Sequence, residues 1–129
     1  YAYPLPPGTE VVARYAKVGN FGPAGNHCDY MAALILVTEL TRDEIDDYYR
    51  NMALPQVGDS EFRSYNLIFQ DELEAYLAEW GRRYVGAEYD ELLYNELALP
   101  SQQRSDARLR FCIEVYDTNY DAGFDCRCM

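Results

Sequence analysis

Lysine is almost missing from this chain: Lys17 stands alone beside ten arginines and faces 22 acids, leaving a net charge of −11. Without a basic stripe to lie along a phosphate backbone, nucleic acid is not expected as a partner. Histidine occurs once, at His27, and serine only at Ser60, Ser64, Ser101 and Ser105, none of them in a Gly-x-Ser-x-Gly elbow. His27 has Cys28 and Asp29 as neighbours, but successive strand residues point to opposite faces, so no ready-made triad results. With no nucleophile–base pairing to cite, a non-catalytic protein is expected. Long apolar runs are also missing. The best, Met31 to Val37, lasts seven residues against the roughly 20 a membrane-crossing helix needs, so no such helix is expected. No internal repeat is present, and the lack of an Asn-x-Ser/Thr glycosylation acceptor, together with the small lone domain, leans the reading toward a bacterial-type protein.

What is there fits one domain. A length of 129 residues, 49% hydrophobic, supports a core that removes roughly two thirds of the unfolded chain's surface from water. Residues 1–8, Tyr1-Ala2-Tyr3-Pro4-Leu5-Pro6-Pro7-Gly8, read as an extended, polyproline-like tether such as follows a cleaved leader or a lipid anchor. Residues 9–129 read as a single α+β domain.

Thr9 to Val18 alternates, with Val11, Ala13 and Tyr15 against Val12, Arg14 and Ala16, and predicts a strand. Gly19 to Asn26 is glycine-rich and reads as a loop. Cys28 to Leu40 carries the strongest apolar run and predicts a central strand. A helix start follows: Thr41 and Glu44 form a capping-box pair, Leu40 and Ile45 a hydrophobic staple. Ile45, Tyr48, Tyr49 and Met52 mark one helical face. Phe62 to Phe69 predicts a strand. The stripe Leu73, Tyr76, Leu77, Trp80, Tyr84 predicts a second helix, and Glu88 to Leu97 a third. Leu109 to Tyr116 alternates Leu109, Phe111, Ile113 and Val115 with Arg110, Cys112, Glu114 and Tyr116, predicting a strand with one greasy face. This order predicts a two-layer α+β sandwich, a mostly antiparallel sheet with helices on one face.

The four cysteines fall in two stretches, Asn26-His27-Cys28-Asp29-Tyr30 and Phe111-Cys112 running on to Asp125-Cys126-Arg127-Cys128-Met129. Cys126 and Cys128 are too close along an extended strand to bond each other. If Asp117 to Gly123 is the loop of a terminal hairpin, Cys112 falls opposite Cys128, and Cys28 is left for Cys126. A four-cysteine zinc site normally shows two close pairs, and a redox pair wants Cys-x-x-Cys at a helix start; the chain has neither. Disulfides point to a secreted, periplasmic or cell-envelope setting.

The run Asp117 to Asp125 places Asp117, Asn119, Asp121 and Asp125 as oxygen ligands at spacings that resemble the first half of an EF-hand calcium loop, over nine residues only. The sixth position is Ala122 instead of glycine and the twelfth is Cys128 instead of glutamate, and the same residues build ordinary turns. Calcium is therefore the one cofactor considered, against none.

Charge is concentrated in the middle of the chain. Residues 41–98 hold 14 acids against 5 arginines, a net of −9. Asp46, Asp47, Glu72, Glu79, Asp90 and Glu91 fall off the apolar stripes, so a solvated helix face is expected; the alternative is a docking face for a cationic partner. Among thirteen tyrosines, Tyr1, Tyr3, Tyr89, Tyr94 and Tyr120 lie outside the helical stripes and are recognition candidates. The expectation is an exported, disulfide-stabilised binding module with a protein or envelope ligand. The alternative is a small acidic inhibitor or immunity-type protein that masks a basic partner.

Overall fold

The computed structural model describes residues 5–19, 27–52, 64–80, 86–98 and 108–120. In chain order these form β1 (Thr9–Gly19), β2 (His27–Thr38), α1 (Arg42–Arg50), β3 (Ser64–Phe69), a 3-10 turn (Gln70–Glu72), α2 (Leu73–Trp80), α3 (Ala87–Leu97) and β4 (Leu109–Tyr120). The fold is α+β. Its four strands make one sheet in the order β1-β2-β4-β3, with every neighbouring pair antiparallel.

The central pair is β2 with β4, twelve residues in unbroken register from His27 opposite Tyr120 to Thr38 opposite Leu109. The apolar run of β2 explains its place, since Met31, Ala33 and Ile35 face one side of the sheet and Leu36 the other, and all four are buried. A strand with apolar side chains on both faces is stable only where both faces are covered.

Each face has its own cover. On one, Met31, Ala33, Ile35, Ile68 and Cys112 pack against Leu73 of α2 and Tyr89, Leu93 and Leu97 of α3. On the other, Leu36, Phe69, Phe111 and Ile113 pack against Ile45 and Tyr49 of α1. Helices α2 and α3 thus form the expected helical layer, and α1 adds a second, smaller cover at one end of the opposite face. Helix α1 begins as its sequence predicts: the Glu44 amide donates to Thr41 Oγ1 at 3.3 Å, and the Thr41 amide donates to the Glu44 carboxylate at 3.1 Å. Leu40 and Ile45 both join the core on that face.

Strand β1 holds a bulge between Val11 and Ala13. Before it, Val11 sits opposite Leu36 on the α1 side; after it, Ala13 and Tyr15 sit opposite Ile35 and Ala33 on the α2–α3 side. Val12, the extra residue, is exposed. One inserted residue therefore lets a single edge strand contribute to both cores.

Of the expected helical stripe, Leu73 is buried and Tyr76 and Leu77 are half-buried against the same core. The side chain of Trp80, and Tyr84, lie outside the described residues. The six acids read as off-stripe are all exposed or half-exposed.

Candidate functional site

Two arrangements of polar side chains stand out, one under the helical layer and one on top of it. Underneath, Glu114 of β4 is buried on the α2–α3 face. Its carboxylate accepts from Tyr76 Oη of α2 at 2.7 Å, from Tyr89 Oη of α3 at 2.7 Å and from Asn66 Nδ2 of β3 at 2.9 Å. Three donors from three elements converge because Glu114 lies opposite Asn66 in the β3–β4 register, while the two tyrosines reach down from the helices. The Cys112 thiol lies beside Tyr89 Oη at 3.6 Å. Burial pushes that thiol up to about 12, a shift opposed by its hydrogen bond with Tyr89 and reinforced by the Glu114 charge, so it stays protonated at neutral pH. Burial, and after it the neighbouring Glu114 charge, likewise raises the Tyr76 phenol; burial, then Cys112 and Glu114, raises Tyr89. Both Glu114 oxygens are engaged by donors, and the network ties α2, α3 and β3 to one central strand.

On the outer side, α2 and α3 enclose an open groove of about 690 Å³ lined by Glu74, Leu77, Ala78, Ala87, Asp90, Glu91 and Tyr94. Helical spacing accounts for it. Leu77 and Ala78 follow Glu74 by three and four residues, and Tyr94 follows Asp90 and Glu91 by four and three, so each set shares one helix face. Ala78 and Ala87 leave the space between. Tyr94 is 50% exposed, the largest side chain the described surface presents to solvent in this way.

Five carboxylates outside the groove are paired with arginine. Asp71 and Glu72 hold Arg42, Asp47 holds Arg50, Glu10 holds Arg108 and Glu96 holds Arg110. Glu74, Asp90 and Glu91 have no ion-pair partner among the described residues. Two shallower hollows flank α1, and their charged residues are already engaged: Glu44 in the capping box and Asp47 with Arg50 in one, Arg42 with Asp71 in the other.

The structure does not assemble the sites expected from the cysteines and the Asp117 to Asp125 run. Cys112 is a free, fully buried thiol. It lies between Ile35 of β2 and Ile68 of β3 in register, so β4 has no open edge there for a terminal strand, and Cys128 cannot sit opposite Cys112 in a hairpin. Cys28 pairs through its backbone with Asn119; its side chain, Cys126 and Cys128 lie outside the described residues. The predicted turn is corrected as well. Asp117 and Asn119 belong to β4, opposite Tyr30 and Cys28, because the ladder with β2 continues past the turn-forming residues. An extended chain advances about 3.3 Å per residue and does not wrap its oxygens around an ion; Asp121 and Asp125 lie outside the described residues. Among the described residues, no three His, Cys, Asp or Glu side chains are grouped to hold a metal.

Of the tyrosine candidates, Tyr89 is core and Tyr94 is on the groove. Tyr1, Tyr3 and the side chain of Tyr120 fall outside the described residues. Glu114 escaped sequence reasoning, since a glutamate in an alternating strand reads as solvent-facing. No protein-family model matches this chain, and comparison with curated proteins and with solved structures gave no significant match.

Proposed function

We propose that the protein is a non-catalytic binding domain whose α2–α3 groove receives a cationic segment of a partner protein. The observation that carries this reading is convergence: Glu74, Asp90 and Glu91 line one groove between two helices and have no ion-pair partner among the described residues. Complementary charge across such a surface speeds encounter and orients the partner. A net charge of −11 adds long-range attraction for basic proteins. The masking of a basic partner by a small acidic protein is the form of the reading that fits best.

The setting is a separate proposal, carried by the cysteines. With Cys112 free, Cys28, Cys126 and Cys128 allow at most one internal bridge, and the secreted or cell-envelope compartment is proposed from that capacity, since such bridges form in oxidising settings.

The docking reading is tested by fluorescence anisotropy with labelled octalysine and octaarginine at low salt. The Glu74→Gln/Asp90→Asn/Glu91→Gln variant is compared with Glu39→Gln/Asp43→Asn/Asp46→Asn, which changes net charge equally at a distance from the groove. Loss of about tenfold in affinity is expected for the groove variant and about twofold for the control, both shrinking with added salt. Equal losses would show general attraction to an acidic surface, and the groove would carry no function.

A further inference from the structure

Resting on the groove as the docking surface, we infer that it selects arginine over lysine in the partner, with the Tyr94 ring as the platform for the guanidinium. The protein already makes this arrangement once within itself. The Arg42 guanidinium lies over the Phe69 ring at 4.3 Å from its centroid, while Asp71 and Glu72 accept its N–H groups. An aromatic face and two carboxylates on the following turn thus hold one planar cation.

The groove lines up the same kinds of group, an aromatic ring and carboxylates, in the opposite chain order. Tyr94 supplies the ring, Asp90 and Glu91 lie one turn before it on the same helix, and Glu74 faces them from α2. Tyr94 is half exposed and stacks on no other ring among the described residues, so its face is available. Guanidinium suits such a site better than ammonium. It is planar, weakly hydrated and donates N–H bonds in a fork that two carboxylates accept while its face lies on a ring. Lysine brings a compact, strongly hydrated charge that gains from the carboxylates and little from the ring. Ala78 and Ala87, short on both walls, leave room for the side chain to enter. A second copy of this chain is a poor occupant, since two surfaces of the same sign repel.

The same labelled octaarginine and octalysine, equal in charge, decide the matter with two further variants, Tyr94→Leu and Tyr94→Phe. For the unaltered protein, octaarginine should bind about three- to fivefold tighter than octalysine, the factor expected of an exposed cation–ring contact. Tyr94→Leu should erase that preference while octalysine binding stays within about twofold, and Tyr94→Phe, which keeps the ring, should retain it. Circular dichroism melts of the two Tyr94 variants should match the unaltered protein, because the side chain is not in the core. Equal affinity for the two peptides, or a preference that survives in Tyr94→Leu, overturns the arginine inference. If the groove-carboxylate variant loses both peptides while Tyr94→Leu changes nothing, docking stands and arginine selection falls. If neither peptide binds the unaltered protein at low salt, both fall.

Discussion

At the scale of single residues, Glu114 is the side chain on which most else depends. A buried carboxylate is costly unless hydrogen bonds take up its lone pairs, and Tyr76, Tyr89 and Asn66 do so here. Glu114→Gln keeps the shape but replaces one acceptor oxygen with an NH2 group. That group then meets a donor, and at least one of the three contacts is lost. The expected cost is about 1–3 kcal/mol in urea melts, with Tyr89→Phe adding less in the Gln background than in the native one because the two share a contact. Additive losses would mean that the network is no unit. Cysteine carries the second prediction at this scale. In the native protein Cys112 should resist thiol reagents for as long as the fold persists, because it is fully buried and protonated. Denatured without reductant, an exported chain with one bridge should show two reactive thiols; four would remove the export proposal. Neither Glu114 nor the state of Cys112 was legible beforehand. The strand pattern marked Leu109, Phe111, Ile113 and Val115 as buried, and they are half-buried or buried. It left Arg110, Cys112, Glu114 and Tyr116 facing outward, because nothing local reveals that two tyrosines from distant helices will cover them.

At the scale of elements, what depends on neighbours in sequence was legible and what depends on register was not. The α1 start is local: Thr41 with Glu44, Leu40 with Ile45, and acids at the positive end of the helix dipole. The bulge in β1 is the opposite case. Val11, Ala13 and Tyr15 alternate in sequence as if on one face, yet the insertion at Val12 sends Val11 to one core and the other two to the second. Periodicity cannot show this, since the pattern is the same on both sides of the slip. The length of β4 was missed for a related reason, as Asp117 to Tyr120 have turn-forming chemistry but are paired by β2. Helix α3 supplies a test. It starts after Gly86, at φ 110° and ψ 171°, a region open to glycine and strained for any other residue. An added Cβ would meet only Lys17 Nζ at 3.5 Å, an ordinary contact, so backbone conformation and not space sets the cost. Gly86→Ala should therefore destabilise by about 1–3 kcal/mol. Thermal melts with no shift would mean that the chain enters α3 by another path. The helix's other end needs no glycine, because Arg110 and Gln70 donate to the Glu96 and Ala98 carbonyls.

At the scale of the molecule, the class of fold followed from the order of elements, and the acidic helical layer from the clustering of charge. The groove did not, since it needs two helices side by side. The core has a further consequence, in its response to alkali. Cys112, Tyr49 and Tyr89 are each at most 1% exposed, and burial is the leading cause that raises all three, Cys112 from 9.0 to about 12 and both tyrosines above their usual 10.0. Each is neutral when protonated. The folded chain therefore keeps protons that the unfolded chain releases, and stability must fall as pH rises. The contribution is whole below about pH 9, begins to go as the unfolded thiol ionises, and goes faster above about pH 10 as the unfolded phenols follow. In that range each group removes about 1.4 kcal/mol per pH unit at most, so a domain of ordinary stability should lose its fold within about two units. Urea midpoints measured upward from neutral pH should hold level and then drop steeply, and phenolate absorbance from the buried tyrosines should rise together with unfolding. Midpoints that stay level to about pH 11, or phenolate that forms while the fold is intact, would show that these side chains reach water and that the two-sided core is looser than its packing implies.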